Sequence, residues 1–334
     1  MKVSELGEFG LIDLLAKVVN SARDSKAASW QKLLIGIGDD AAAWQGDASI
    51  QLATVDSLIQ GVHFSLDTAS WEELGWKAMA VNLSDIAAMG GVPRYALVSL
   101  ALPQHTEVED VVALYRGMIE LAQQFGVAII GGDTDCAPLV IIAVTVIGSH
   151  SRSRHMLTRS AAKPGDQVAV TGYLGGAAAG LEMISKQLKF DPEATTCFRN
   201  AFLHPYPRVA EGQLLVERGV KTAIDISDGL ISDLKQICKA SQVGARIDID
   251  RVSIHPLVKA NFGDKSLELA LSGGEDYELL FTGSAEVIDK VKRAAPCPVT
   301  VIGEIISDEV GKITLIDKKG KPFDLAKAGW EHFK

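Results

Sequence analysis

Six short acidic motifs punctuate the chain, each beside glycine or a hydroxyl residue. They are G-I-G-D-D (36–40), T-V-D-S (54–57), N-L-S-D (82–85), G-G-D-T-D (131–135), D-I-S-D-G (225–229) and S-G-G-E-D (272–276). Taken singly, an Asp-Gly or Ser-Asp is a turn or a helix cap. On that reading Asp228 caps a helix beginning near Leu230, and Asp133 closes a loop. Six of them, at strand ends where loops converge, point instead to a shared site. Magnesium suits such a set, because it takes oxygen ligands and is held by one or two carboxylates plus substrate phosphates. Several acids would then serve several ions around a nucleotide. No twelve-residue loop closes on Glu as a calcium EF-hand would. The seven histidines are dispersed and the four cysteines form no C-x-x-C pair, so a softer metal lacks its ligands.

The usual phosphate-binding motifs are missing. Gly-Lys occurs only at 311–312 and 320–321, followed by Ile313 and Pro322, so there is no Walker A element. T-G-Y-L-G-G-A-A-A-G (171–180) is glycine-rich and opens a helix, so it could approach a phosphate. Tight strand–helix packing explains it equally well. The kinase H-R-D and D-F-G sets are absent. A phosphoryl-transfer enzyme of this composition would cradle phosphates mainly through metals.

Alternating elements must position these acids, which argues for an α/β or α+β class. The apolar spacing predicts helices over 11–19, 71–89 and 107–125, the second ended by Gly90-Gly91. Strands are expected over 50–55, 94–102, 127–130 and 139–147. The polar stretch Ser149 to His155 and the turn K-P-G-D (163–166) mark a break. We expect two domains, 1–149 and 150–334. The second restarts with a strand over 167–171. Helices follow at 177–188, 207–218 and 230–240, with a strand at 222–226 before the last of them.

Composition narrows the classes. The 334 residues carry 33 Lys+Arg against 42 Asp+Glu, a formal charge of −9, and 47% are hydrophobic. That suits two cores and excludes dominant disorder. An acidic chain without a basic run is not a general nucleic-acid binder. The longest apolar stretch, Pro138 to Gly148, is about half of the ~20 residues a spanning helix needs. Glu5 and Glu8 sit where a signal peptide keeps an uncharged core. The cysteines read as reduced thiols of a cytoplasmic protein.

The motifs G-I-G-D-D-A, T-V-D-S-L-I-Q-G-V-H-F, K-A-M-A-V-N-L-S-D-I-A-A-M-G, I-I-G-G-D-T, L-T-R-S-A-A-K-P-G-D, I-D-I-S-D-G-L-I-S-D-L and L-S-G-G-E-D-Y-E-L resemble, in order, the thiamine-monophosphate kinase family. The likeness runs from about residue 8 to the terminal G-W-E-H-F. N-L-S-D-I-A-A-M-G and G-G-D-T also mark the wider ATP-binding superfamily of aminoimidazole ribonucleotide synthetase. The resemblance implies Mg²⁺-assisted phosphorylation of thiamine monophosphate by ATP, the last step of thiamine diphosphate biosynthesis. It further implies a homodimer joined through the N-terminal sheet, with the C-terminal α/β domain covering the site. Matching positions make Asp40, Thr54, Val55, Asp56, Asp85, Asp133, Asp225 and Asp228 the metal set, Val55 through its backbone carbonyl. Tyr115, Gly132, Asp133, Arg159 and Ser227 match ATP contacts. His63, Glu275 and Trp330 match substrate contacts. Neither nucleic acid nor membrane is an expected partner.

The implied chemistry needs no general base. The acceptor is a phosphate monoester with a second pKa near ~6, so it is largely a dianion at neutral pH. The obstacle is repulsion: two unit charges at ~4 Å interact with about 4 kcal/mol at an effective dielectric of 20. Metal ions, with Arg159 in support, would screen it and orient in-line transfer. The competing readings are another ATP-using synthetase of the superfamily and a non-catalytic nucleotide or metal sensor. Against the first, residues 1–135 lack the cysteine expected of selenophosphate synthetase, and the chain ends His332-Phe333-Lys334 without the cysteine of the hydrogenase maturation enzyme.

Overall fold

A computed structural model describes residues 1–37, 42–325 and 329, with the backbone alone at Glu8 and Phe9. The chain divides into two compact units. One comprises residues 1–86 and 92–152, the other 87–91 and 153–334.

The first unit runs α1 (Val3–Leu6), α2 (Glu8–Ser21), α3 (Ala28–Lys32), β1 (Leu33–Ile35), β2 (Ala43–Trp44), β3 (Ile50–Ile59), α4 (Trp71–Ala88), β4 (Val92–Leu102), α5 (Val108–Gln124), β5 (Ala128–Cys136) and β6 (Ile141–His150). Its main sheet has the order β3-β6-β4-β5, antiparallel except for the β4–β5 pair. Two-residue alternation sorts the strands. Val98, Leu100, Val144 and Val146 are buried on one face, whereas Ala53, Val55 and Ser57 on the other face of β3 are exposed. The helix α4 starts at a reciprocal cap. Ser70 N–H donates to Glu73 Oε2 at 2.8 Å, and Glu73 N–H donates to Ser70 Oγ at 3.3 Å. Burial on nearly every side of α4 (Leu74, Met79, Leu83 and Ile86, with Asn82 and Ser84) makes it the core helix that presents N-L-S-D. In α5 the buried Val111, Leu114, Tyr115, Met118, Leu121 and Ala122 form one helical stripe.

The second unit continues β7 (Gln167–Thr171), α6 (Gly176–Ser185), α7 (Pro192–Leu203), α8 (Val209–Arg218), β8 (Thr222–Asp225), α9 (Leu230–Ser241), β9 (Gly244–Asp248), α10 (Pro256–Phe262), α11 (Lys265–Ser272), β10 (Leu279–Gly283), α12 (Ala285–Ala294), β11 (Val299–Ile306) and β12 (Ile313–Ile316). Its six-stranded sheet, β12-β9-β11-β7-β10-β8, is antiparallel except where β12 meets β9. Both faces are covered. Val168, Val170, Ile224 and Leu280 enter one core, while Ala169, Ala223, Leu279 and Phe281 enter the other. The molecule is thus a mixed α/β protein whose second sheet is of the α+β kind.

Several elements depart from the sequence reading. The short α1, α3, β1 and β2 carry too few residues for a periodic signal, and the strand expected over 127–130 runs on as β5 to Cys136. G-G-D-T-D therefore lies within β5, T-V-D-S within β3 and N-L-S-D within α4, rather than in loops at strand ends. The helix α7 was not foreseen, although Asp191-Pro192 is a start signal: Asp191 Oδ1 accepts from Ala194 N–H at 2.9 Å and proline takes the first turn. The helix α8 begins at Val209 rather than Pro207, with Arg208 outside helical geometry at φ −81°, ψ 48°. No helix among the described residues is long and apolar enough to cross a membrane. None of the four cysteines is disulfide-bonded.

Candidate active site

In the first unit, β3 and α4 bring part of the expected metal set together. Thr54 Oγ1 donates to Asp85 Oδ2 at 2.5 Å. The buried Asn82, one turn before Asp85, accepts from Asp56 N–H at 2.9 Å through Oδ1 and donates through Nδ2 to Ala78 C=O at 3.0 Å. Asn82 thereby fixes Asp56 to the helix that carries Asp85. Sequence reasoning missed that role, although Asn82 and Asp85 are three apart on one helix face. Val55 is 60% exposed. Because Asp56 N–H leaves the ladder toward Asn82, strand alternation turns the Val55 carbonyl toward β6, so an ion would share it with the ladder. His63 Nδ1 accepts from Ile59 N–H at 3.0 Å, which closes the turn after β3 and leaves the ring proton on Nε2.

Gly132 and Asp133 lie on β5, at the opposite sheet edge from β3. Register puts Asp56, Val144, Val98 and Gly132 on one level, three strand spacings or about 14 Å across. One chain's sheet therefore separates Asp133 from Asp56. Only glycine fits at 132: φ is +156°, and a Cβ would lie 1.8 Å from Val98 O. Tyr115 is a core residue of α5, 6% exposed, and burial raises its phenol above the usual range.

In the second unit, Asp225 is buried at the end of β8, and Ser227 and Asp228 follow in the turn into α9. Asp228 does not cap α9. Asp233, one turn inside the helix, reaches back, and its Oδ2 accepts the N–H groups of Ser227, Asp228 and Gly229, each at 3.1 Å. Burial, then the carboxylates of Asp225 and Asp228, push Asp233 up to about 8. The segment 273–278 pairs with this turn. Glu275 N–H donates to Ser227 O at 2.8 Å, Tyr277 N–H to Ile226 O at 2.9 Å, and Ile226 N–H to Glu278 O at 2.9 Å. Glu275 is thus stitched beside Ser227. Arg159 is exposed, with its carbonyl pinned by Ser241 Oγ at 2.8 Å.

The glycine-rich 171–180 stretch is resolved toward packing. Asp276 occupies the start of α6, accepting from Gly175 N–H at 2.7 Å and Ala177 N–H at 3.1 Å, so that helix end already holds a carboxylate. Gly172 (φ +56°) must lack a side chain because a Cβ would lie 2.0 Å from Glu278 Oε1. Asp40 and Trp330 fall outside the described residues. Among the described residues no three His, Cys, Asp or Glu side chains are grouped to hold one ion. The donors are instead paired and exclusively oxygen, which fits a hard cation held by one or two carboxylates and a substrate's phosphates.

Asp276 carries a pH signature. Burial pushes it up to about 7, against the opposing pull of its backbone N–H donors. A carboxyl raised in the native state keeps a proton that the unfolded chain has released. Its stabilising contribution is complete below the ordinary value near 3.8, declines as pH rises through about 7, and is lost above. Urea midpoints of wild type minus Asp276→Asn should therefore fall from pH 5 to pH 8. Parallel curves would refute the assignment.

Residues 38–150 match the AIR synthase related protein N-terminal domain, and residues 163–316 match the C-terminal domain of the same family. The chain is 39% identical over 312 residues to the thiamine-monophosphate kinase of Bacillus subtilis, covering 90% of this chain and 94% of that one. A crystal structure of thiamine-monophosphate kinase from Stenotrophomonas maltophilia matches with a TM-score of 0.81 at 35% identity, over 95% of this chain and 98% of the other. A structure of AaThiL complexed with AMPPCP and TMP matches with a TM-score of 0.76 at 32% identity, over 100% and 99%. The resemblance carried by the ordered acidic motifs thus extends along both units at the level of identity and of backbone, and the chain belongs to the thiamine-monophosphate kinase family.

Proposed function

We propose that the chain transfers the terminal phosphoryl group of ATP to thiamine monophosphate, giving thiamine diphosphate and ADP. What carries the reading is the oxygen donor set of Thr54, Asp56 and Asp85, held by α4 with hydroxyl and carboxylate 2.5 Å apart. Support comes from the related structure that holds AMPPCP and TMP. Asp40, Thr54, Val55, Asp56, Asp85, Asp133, Asp225 and Asp228 would hold Mg²⁺, which supplies neutralisation of phosphate charge when bound. Gly132 offers bare backbone to a phosphate, Ser227 a hydroxyl and Arg159 a cation. Tyr115, as a core residue, would act on the nucleotide side by packing α5. His63 and Glu275, with Trp330, would contact the thiamine moiety. No side chain needs to remove a proton, because the acceptor phosphate is already ionised. A direct assay tests this. ATP and thiamine monophosphate with Mg²⁺ should give ADP and thiamine diphosphate in equal amounts. ATP hydrolysis that leaves thiamine monophosphate unconsumed, or nucleotide binding with no turnover, would overturn it.

The assembly read from the resemblance belongs to the same proposal. Asp56 and Asp133 sit on opposite edges of one sheet, and the β3 face bearing Ala53 and Val55 is exposed. A second copy meeting that sheet would cover the face and the open edges and supply the missing carboxylate. Sedimentation at micromolar concentration should report about twice 35.6 kDa, and a monomer would contradict the dimer.

A further inference from the structure

The segment that carries Glu275 is strained, and its neighbours hold it. Glu275 (φ +67°) and Tyr277 (φ +49°) both occupy the left-handed region, two non-glycine residues within three positions. Each such residue costs free energy and persists only where surrounding contacts over-determine it. Here the side chains on either side of Tyr277 do so. Asp276 is tied to the start of α6. Glu278, 7% exposed, is gripped by Arg208 from the head of α8: Nε donates to Oε2 at 2.7 Å and Nη2 to Oε1 at 2.5 Å, with Thr171 Oγ1 donating to Oε2 at 2.6 Å. Arg208 Nη1 also reaches Glu211 at 3.4 Å. The Glu278 carbonyl in turn accepts from Ile226 N–H, one residue before Ser227. A planar guanidinium bonded through two nitrogens to one carboxylate fixes orientation as well as distance, which an ammonium cannot do.

We propose that Arg208 is a positioning residue for the substrate side of the site. Through Glu278 it holds the strained 275–277 backbone, and so aims the Glu275 side chain at the thiamine moiety. This rests on the reading of Glu275 as a substrate contact. The Arg208 guanidinium is engaged by Glu278 and Glu211, and in this proposal it acts through the strap.

The test uses the full-length protein with ATP, Mg²⁺ and thiamine monophosphate. Arg208→Lys keeps the charge and removes the fork, and Glu278→Gln keeps the volume and removes the charge. Both should raise KM for thiamine monophosphate at least ~10-fold while kcat and the KM for ATP move less than ~3-fold. Adding Glu275→Gln to Arg208→Lys should raise KM no further than Glu275→Gln alone, because the two changes remove one aim. Additive effects, equal changes in both KM values, or unchanged KM values in folded variants would each overturn the proposal. Should Arg208→Lys fail to fold, the same cycle between Glu278→Gln and Glu275→Gln decides. Wild-type turnover measured alongside separates the outcomes: its absence refutes the kinase reading, whereas a normal wild type with unmoved variants refutes Arg208 alone.

Discussion

Asp85→Asn should lower kcat/KM by about 10³-fold, ~4 kcal/mol of lost transition-state stabilisation, while the metal-free protein keeps its fold. The side chain accepts the Thr54 hydroxyl at 2.5 Å from a helix buried on nearly every side. An asparagine amide oxygen preserves that bond and the packing of α4, so the change removes charge and little else. What is lost is a carboxylate of the proposed Mg²⁺ set. Asp56→Asn should behave alike, because Asn82 holds the backbone of Asp56 rather than its side chain. Two measurements check this, steady-state rates and the thermal midpoint with and without Mg²⁺ and ATP. Wild type should gain stability from the ligands, about 2.7 kcal/mol at a hundredfold excess over Kd. The variants should gain less, with unchanged midpoints in chelator. Near-normal turnover in both variants would remove the metal-set reading.

Trp330→Ala should raise KM for thiamine monophosphate by up to ~30-fold, with KM for ATP little changed. The position lies outside the described residues, and the effect follows from the chemistry of the ligand. Thiamine monophosphate carries a cationic thiazolium and a flat aminopyrimidine. An aromatic wall gains roughly 0.5–2 kcal/mol from such a cation, and ~2 kcal/mol corresponds to ~30-fold in affinity. The preceding residue, Gly329, packs against the Asp228 carbonyl and Ser232, but Trp330→Ala removes only an aromatic side chain and leaves every carboxylate of the proposed metal set in place, so nucleotide and metal binding should be spared. Collapse of ATP affinity would make Trp330 a packing residue, as would two unmoved constants.

Much of this was legible in residue order. Runs rich in apolar and β-branched residues mark β3, β4 and β6, and the apolar stripe of α5 runs its full length. These signals are local, and burial of one face forces the element they predict. The acidic motifs, in order, are enough to name the family, because each keeps its chemistry in contiguous residues, whether it lies within β3, α4 and β5 or in the turn after β8. Local order also pairs Asn82 with Asp85 through helical spacing, once that helix is recognised.

Tertiary structure decided which acids serve the fold. Sequence makes Asp228 the natural cap of α9, yet Asp233 turns back to collect three backbone N–H groups. The glycine-rich 171–180 loop looks open to a phosphate until Asp276, about a hundred residues away in sequence, fills the start of its helix. The Arg208–Glu278 clamp joins residues seventy apart. The two edges of one sheet part Asp56 from Asp133, although both motifs read alike. For Asp276 and for the Arg208–Glu278 clamp the deciding bond runs between segments remote in sequence, and it forms only after strand order and helix direction have brought them together; for Asp233 the partners are near in sequence, and the path of the turn into α9 decides. A carboxylate's duty follows from which donors then surround it, and residue type and local spacing leave that choice open.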